Sequence, residues 1–395
     1  MQLQNLLQLL QQTAVTYPEK GLLFYPPAKI DVVGMHIKYR DFLQRAEHNT
    51  GLIHPLGLKS GTIILLHFDN HLDNLQWFWA VTCAGFVPAI STPLSKNMEQ
   101  RKKHIDEIHF SVDQGKLKRS DNIAILMLTS GSTSGSTGNA KFGADHVASL
   151  SKVHLHAIWT GANQVHVQAA DVVSKSLLFL KLINQHRIAH TFAPNFFLAS
   201  LQRALESAST EQFRDGKLDL SPLVTMVSGG EANVVETCTV LTKLLEQHGA
   251  PSNILSPAFG MTETSGGSMN SKDFPRRDIE RGNEFAIVGS CNPSMHMRIT
   301  DDCGEEVGRE VSGSQEVRGP IVFHKYYNDP IATFDSFNDG WFITDDQGTI
   351  NSLGHLKLTG RAKEALIVKG INYLPQEIET ALASVPDAEP SFSQL

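Results

Sequence analysis

Cysteine is scarce in this sequence: Cys83, Cys238, Cys291 and Cys303 are the four among 395 residues, with no CxxC or close pairing. Reduced thiols in a cytoplasmic protein are therefore expected, rather than a disulfide framework or a zinc site. Long apolar runs are lacking too. None approaches the roughly 18 residues of a membrane-spanning helix, so no membrane span is expected. Positive charge is also short, 34 lysines and arginines against 41 acidic residues. The resulting net charge of -7 supplies no field for nucleic acid or an anionic membrane surface. The N-terminal MQLQNLLQLLQQ has neither a basic region nor a small-residue cleavage site, and reads as a surface helix. What is present is length, enough for a large core and more than one domain or subdomain.

The stretch that stands out is residues 123–141, IAILMLTSGSTSGSTGNAK. An apolar run, Ile123 to Leu128, predicts a buried strand. A Gly/Ser/Thr loop ending on Lys141 follows. Such a loop can hold phosphates: glycines let backbone N–H groups approach the oxygens, hydroxyls donate, and the lysine adds a point charge. By itself the loop also reads as a flexible Gly/Ser linker with a tandem SGST copy. No Gly-Lys-Ser/Thr follows at the spacing of a Walker loop.

The remaining periodicity predicts alternating elements. A helix, a Pro-punctuated hairpin and a second helix near Tyr39–Thr50 open the chain. Strand Thr62–Phe68, a helix capped by Asn70 and strand Phe86–Ile90 then form a strand–helix–strand unit. Residues 96–120 read as a solvated helix and loop. Helix Asp145–Trp159, strand Gln164–Gln168, a helix capped by Ser174, strand Ile188–Phe192, a helix from Asn195, strand Leu223–Val227, helix Val234–His248 and strand Asn253–Leu255 make a second α/β layer. From Glu284 short strands predict a small β-rich subdomain. His154, His156 and His166 could be drawn as a metal site. No carboxylate or cysteine accompanies them at ligand spacing, so satisfied or solvent-facing histidines are expected.

Further motifs follow predicted strands. Ser228-Gly229-Gly230-Glu231-Ala232 sits where ligands lie in open α/β sheets. Ser256 to Thr264, SPAFGMTET, is placed at the end of the next strand. Downstream come GWFITDDQG, Gly340 to Gly348, and LTGRAKEALIVKG, Leu358 to Gly370.

Thr133 to Lys141 matches the T-S-G-S-T-G-x-x-K signature of the acyl-adenylate-forming superfamily of acyl-CoA synthetases, luciferases and peptide-synthetase adenylation domains. The other motifs resemble that family's in order, and the intervening segments look most like adenylating domains of fungal natural-product synthetases. The resemblance implies two parallel-sheet α/β subdomains plus a small β-rich one over residues 1–360. Residues 361–395 would be the hinge and a truncated C-terminal α+β domain. It implies ATP-dependent activation of a carboxylic acid as acyl-AMP, with Mg²⁺, and transfer to CoA or to a carrier protein's phosphopantetheine thiol. Thr137, Lys141, Thr262 and Glu263 would be catalytic, with Glu263 holding the metal. Thr133, Ser134, Gly135, Ser136, Gly138, Gly230, Glu231, Ala232, Phe259, Gly260, Asp346 and Arg361 would bind nucleotide, Phe259 lying against adenine and Asp346 on the ribose hydroxyls. Lys363 would be the hinge, and His146, Asn195, Phe196 and Phe197 would line the acid pocket.

The sequence departs from the family pattern at several points. Asp345 stands where the family has glycine, the SGST duplication lengthens the phosphate loop, and Lys141 runs straight into Phe142 where relatives carry more residues. Roughly thirty residues after the hinge are too few for an independent core. Retained nucleotide binding, slow or absent adenylation and no efficient thioester formation are therefore expected, and a non-catalytic nucleotide-binding remnant is the alternative.

Overall fold

The computed structural model describes residues 5–26, 29, 33–68, 70–90, 126–127, 149–207, 218–361, 366–368 and 371–373. The phosphate-loop residues Thr133, Ser134, Gly135, Ser136, Thr137, Gly138 and Lys141 lie outside them, as do His146 and Lys363. The chain divides into two units, Met1–Asp171 with Lys325–Pro330, and Val172–His324 with Ile331–Leu395.

In the first unit, helix α1 (Leu6–Thr16) precedes strands β1 (Gly21–Phe24) and β2 (Met35–Lys38), which pair antiparallel as the expected hairpin. Helix α2 (Tyr39–Ile53) follows. Strand β3 (Ile63–Leu66), helix α3 (His71–Cys83) and strand β4 (Val87–Ile90) form the expected crossover unit, and β4 pairs in parallel with β5 (Leu126–Met127). Asn70 caps α3, its Oδ1 accepting from Asp73 N at 2.8 Å, which satisfies one of the helix's orphan donors. Phe42, Phe78, Trp79 and Ile158 are sealed in one core.

Strand β6 (Gln164–His166) lies parallel to β1. The segment before it differs from expectation: Ser149–Leu155 is a π-helix, and an α-helical turn, His156–Thr160, follows. His154 is buried there and hydrogen-bonded on both ring nitrogens, to Trp79 Nε1 at 2.9 Å and Gln164 Oε1 at 2.9 Å. Gln164 Nε2 donates to the Tyr39 hydroxyl at 2.8 Å, and that hydroxyl donates to Ala162 O at 2.6 Å. These groups are saturated by one another, as the reading of satisfied histidines requires; His156 is exposed.

In the second unit, α4 (Ser176–His186), α5 (Asn195–Ser207) and α6 (Val235–Glu246) accompany parallel strands β7 (His190–Phe192), β8 (Thr225–Ser228) and β9 (Leu255–Met261). Helix α5 carries Phe197, Leu198, Leu201 and Leu205 at helical spacing, and all four are buried. Each is worth roughly 1.5–3 kcal/mol of burial. Ser174 does not cap α4: the N-cap is Lys175, with no side-chain bond.

Strand β9 is longer than expected and runs through the SPAFGM motif before folding back antiparallel into β10 (Gly266–Asn270), which pairs with β11 (Ser290–Cys291). The sheet is thus mixed, with order β11-β10-β9-β8-β7. A separate antiparallel sheet holds β12 (His296–Thr300), β13 (Gly313–Arg318), β14 (Phe337–Asn338) and β15 (Trp341–Ile350), with β16 (Leu356–Arg361) on β15. This is the expected β-rich part. Beyond it, β17 (Leu366–Val368) pairs antiparallel with β18 (Ile371–Tyr373).

Candidate active site

Strands β7 and β8 end together at one edge of their sheet, Phe192 beside Val227 and Ser228 beside Pro257, while β9 runs on past them to Met261. That edge, beyond the carboxyl ends of parallel strands, is where an open α/β sheet leaves room for a ligand. The loop after β8 begins at Gly229, where a Cβ would stand 2.3 Å from Ala258 O. Only glycine lets the two strands approach so closely.

The same loop is tied to the start of α5. Glu231 Oε1 accepts from Phe196 N at 2.6 Å, and Asn195 Oδ1 accepts from Val234 N at 3.0 Å. A carboxylate at a helix N-terminus meets both an orphan donor and the favourable end of the dipole. Asn233 Nδ2 donates to Ser228 Oγ at 2.6 Å, closing the loop on itself. Among the residues expected in the acid pocket, Phe197 is buried edge-on against Phe179, ring centroids 5.1 Å apart. Phe196 is partly buried against the same core.

The Gly-Met-Thr-Glu-Thr segment is a strand end passing into a 3₁₀ turn, Thr262–Thr264. Thr264 holds it: its hydroxyl accepts from Met261 N at 3.1 Å and donates to Gly266 O at 3.0 Å. Glu263 is 5% exposed, and its main-chain oxygen accepts from Phe323 N at 2.8 Å. The Phe323 ring packs on Phe342 and Phe337, with centroids 5.0 and 5.5 Å away. Phe259 and Met261 are partly buried against the cluster that contains Phe342. The TET turn and the GWF strand therefore share one apolar support.

Strand β15 carries the GWFITDDQG motif. Asp346 is 5% exposed and pairs across the ladder with Arg361 on β16. Asp345 adopts a φ of 62°, the left-handed conformation glycine takes freely and aspartate takes at a cost. The departure from glycine noted in the sequence thus falls on a position whose backbone favours glycine, inside a strand rather than a turn. Nearby, Arg298 donates to Glu316 Oε2 from Nε at 2.8 Å and Nη2 at 2.6 Å. Arg298 and Arg318 each place Cζ 4.6 Å from the Trp341 ring centroid. Cations at that range are held by the ring's quadrupole.

Sequence reasoning missed Phe323, Gln315 and Glu316. Strand alternation marks Val317 as inward-facing, but nothing local tells which polar neighbours are buried with it. Among the described residues no cluster of three or more His, Cys, Asp or Glu side chains could hold a metal by itself. Glu263 fits a magnesium site of another kind, since that ion takes one or two carboxylate oxygens and fills its shell with phosphate oxygens and water.

Residues 144–327 match the AMP-binding enzyme family, and the chain carries an AMP-binding domain. It is 39% identical to the nonribosomal peptide synthetase acyN of Ascocoryne sarcoides, over 98% of this chain and 49% of that protein. It is 37% identical to microperfuranone synthase of Emericella nidulans, over 96% of this chain and 47% of that one. The chain spans about half the length of the curated relatives it matches. The acyN alignment, 465 positions, is longer than this chain, so that relative carries residues with no counterpart here.

Solved structures agree on the fold. McyG A-PCP complexed with phenylalanyl-adenylate superposes with a TM-score of 0.85 at 22% identity, covering 96% of this chain and 80% of that one. Fatty acyl-adenylate ligases from E. coli and L. pneumophila give 0.77 at 19% identity, covering 98% and 83%. Among the described residues no helix is long and apolar enough to cross a membrane.

Proposed function

We propose that this chain activates a small carboxylic acid with ATP, as the first half of a transfer to a thiol. A carboxylate is a poor electrophile because its charge repels nucleophiles and its leaving group is oxide. Attack of a carboxylate oxygen on the α-phosphorus, with loss of pyrophosphate, makes a mixed anhydride whose leaving group is AMP. A thiol of CoA or of a carrier protein's phosphopantetheine then takes the acyl group.

The observation that carries this reading is the register of β15 and β16, which sets Asp346 directly across from Arg361. A ribose-accepting carboxylate and a ribose- or phosphate-binding cation can thus serve one nucleotide. Phe259 would cover the adenine, and the loop from Gly230 to Ala232 would border it. Thr262 would meet phosphate. Magnesium, when bound at Glu263, supplies charge neutralisation on the phosphates. Thr137 and Lys141, with Thr133, Ser134, Gly135, Ser136 and Gly138, would cradle the β- and γ-phosphates. Asn195 and Phe196, together with His146, would face the acid, Phe197, buried against Phe179, would back them from the core, and Lys363 would be the hinge to residues 364–395.

The test is adenylate trapping. The full chain is incubated with ATP, Mg²⁺ and a mixed acid library, and acyl-AMP is read by mass. One or a few acids are expected to give adenylates, and Glu263→Gln is expected to lower the yield about 10–100-fold. Absence of both adenylate and ATP binding would overturn the reading. ATP binding without any adenylate would favour a nucleotide-binding protein instead, the reading that Asp345, a second carboxylate beside Asp346 in a glycine-type conformation, speaks for.

A further inference from the structure

Strand β15 leaves regular pairing with β13 at one place. Ser314 pairs with Gln347 and Glu316 with Ile343, so Gln315 alone faces Thr344, Asp345 and Asp346. Two surplus residues must fold out of the ladder, and Asp345 absorbs much of the turn with its φ of 62°. Such a bulge re-aims the side chain that follows it. Its shape is held by the bonds inside it.

Those bonds centre on one hydroxyl. Thr344 Oγ1 donates to Gln315 O at 2.9 Å and accepts from Asp346 N at 3.2 Å. Both capacities of that hydroxyl are used, and it ties the bulge at its base and its exit. Thr344 is 7% exposed and Gln315 is fully buried, so water competes weakly for these bonds. Asp346 also lies across from Arg361, next to a second irregularity between Gln347 and Gly348 in the β15–β16 pairing. The direction of the Asp346 side chain is thus set by the bulge rather than by a regular ladder.

We propose that Thr344, seated on Gln315, is a positioning residue that aims Asp346 at the hydroxyls of the nucleotide ribose. The proposal rests on the reading of Asp346 as the ribose acceptor. Thr344 does not itself touch nucleotide. Its removal costs only the part of the affinity that passes through the ribose hydroxyls.

The experiment compares ATP with 2′,3′-dideoxy-ATP, as dissociation constants measured by calorimetry on the full chain. Variants are Thr344→Val, which keeps the shape and removes the hydroxyl, Thr344→Ala, which removes the hydroxyl with the least steric demand, and Thr344→Ser, which keeps the hydroxyl. Wild type is expected to prefer ATP. Thr344→Val should weaken ATP about 3–10-fold, the range of one hydrogen bond, and leave the dideoxy nucleotide unchanged. Thr344→Ser should restore the preference. If Thr344→Val does not fold, Thr344→Ala carries the same comparison. Equal weakening of both nucleotides, or none, overturns the positioning role while leaving the ribose reading intact. A wild-type chain that binds both nucleotides equally, or neither, overturns the ribose reading and this inference with it.

Discussion

Acid should weaken the first unit through His154. Its Nε2 accepts from the Trp79 indole N–H, so in the neutral ring the proton sits on Nδ1 and points at Gln164 Oε1. A second proton on Nε2 would face the indole N–H donor to donor. Burial supplies the larger effect and pushes His154 down to about 4, partly opposed by the Gln164 bond. His166, whose Nε2 lies 3.0 Å from the same Gln164 oxygen, is pushed down to about 3 by burial, then by the charges of His154 and His71.

The folded state therefore holds His154 neutral at pH values where the unfolded chain, with an ordinary histidine near 6.5, takes up a proton. Stability is full above about pH 6.5 and is lost as pH falls toward 4. For His154 alone the linkage relation gives a loss of about 2 kcal/mol between pH 7.5 and 5, approaching about 3 kcal/mol at pH 4. His166 adds to this, though less than independently, because the two rings are 6.1 Å apart and each disfavours charging the other.

The assay is urea unfolding followed by tryptophan fluorescence at pH 7.5, 6.5, 5.5 and 5.0, on wild type and His154→Gln. The variant should start less stable at pH 7.5 and lose about 2 kcal/mol less than wild type on going to pH 5. Parallel loss in both proteins would refute the argument that the buried imidazole carries the pH dependence.

Two further outcomes follow from the second unit. Asp345→Gly should stabilise it by about 0.5–1 kcal/mol, the left-handed penalty of roughly 1–2 kcal/mol less the backbone entropy glycine loses. A differential scan should show the melting temperature rising by about 1–4 °C, and a fall would show that aspartate bonds offset the conformation. Gly229→Ala puts a methyl 2.3 Å from Ala258 O, so the end of β8 must part from the middle of β9. ATP binding should drop at least tenfold with the protein still folded by circular dichroism, and unchanged binding would remove the Gly-Gly loop from the site.

What the sequence revealed was what depends on near neighbours. Asn70 before an apolar run announces a capped helix, and Pro194-Asn195 ahead of Phe197, Leu198 and Leu201 announces another. Parallel strands are legible from short apolar runs between helices. The strand continuing through Ser256 to Met261 was hidden, because its pairing with β10 is closed by glycines that locally read as loop. The missing Ser174 cap has the same kind of cause, since α4 begins one residue later than a serine-first reading supposes. In the site, the motif residues were visible but their supports were not. Gln315 under Thr344 sits on a strand whose register only the assembled sheet decides, and Phe323 under Glu263 lies in the irregular segment after β13, which carries no local pattern.

On the proposed reading of Asn195 and Phe196 as acid-facing, the two bonds joining Asn195–Phe196 to Glu231–Val234 have a practical consequence for any attempt to alter the acid accepted. The residues that follow β7 cannot be exchanged as an independent cassette, because Glu231 holds the Phe196 main chain and the Asn195 side chain in turn holds that of Val234. A transplant of residues 193–197 from another protein needs residues 228–234 from the same donor. Without them, the graft would arrive with its helix uncapped and its new side chains displaced.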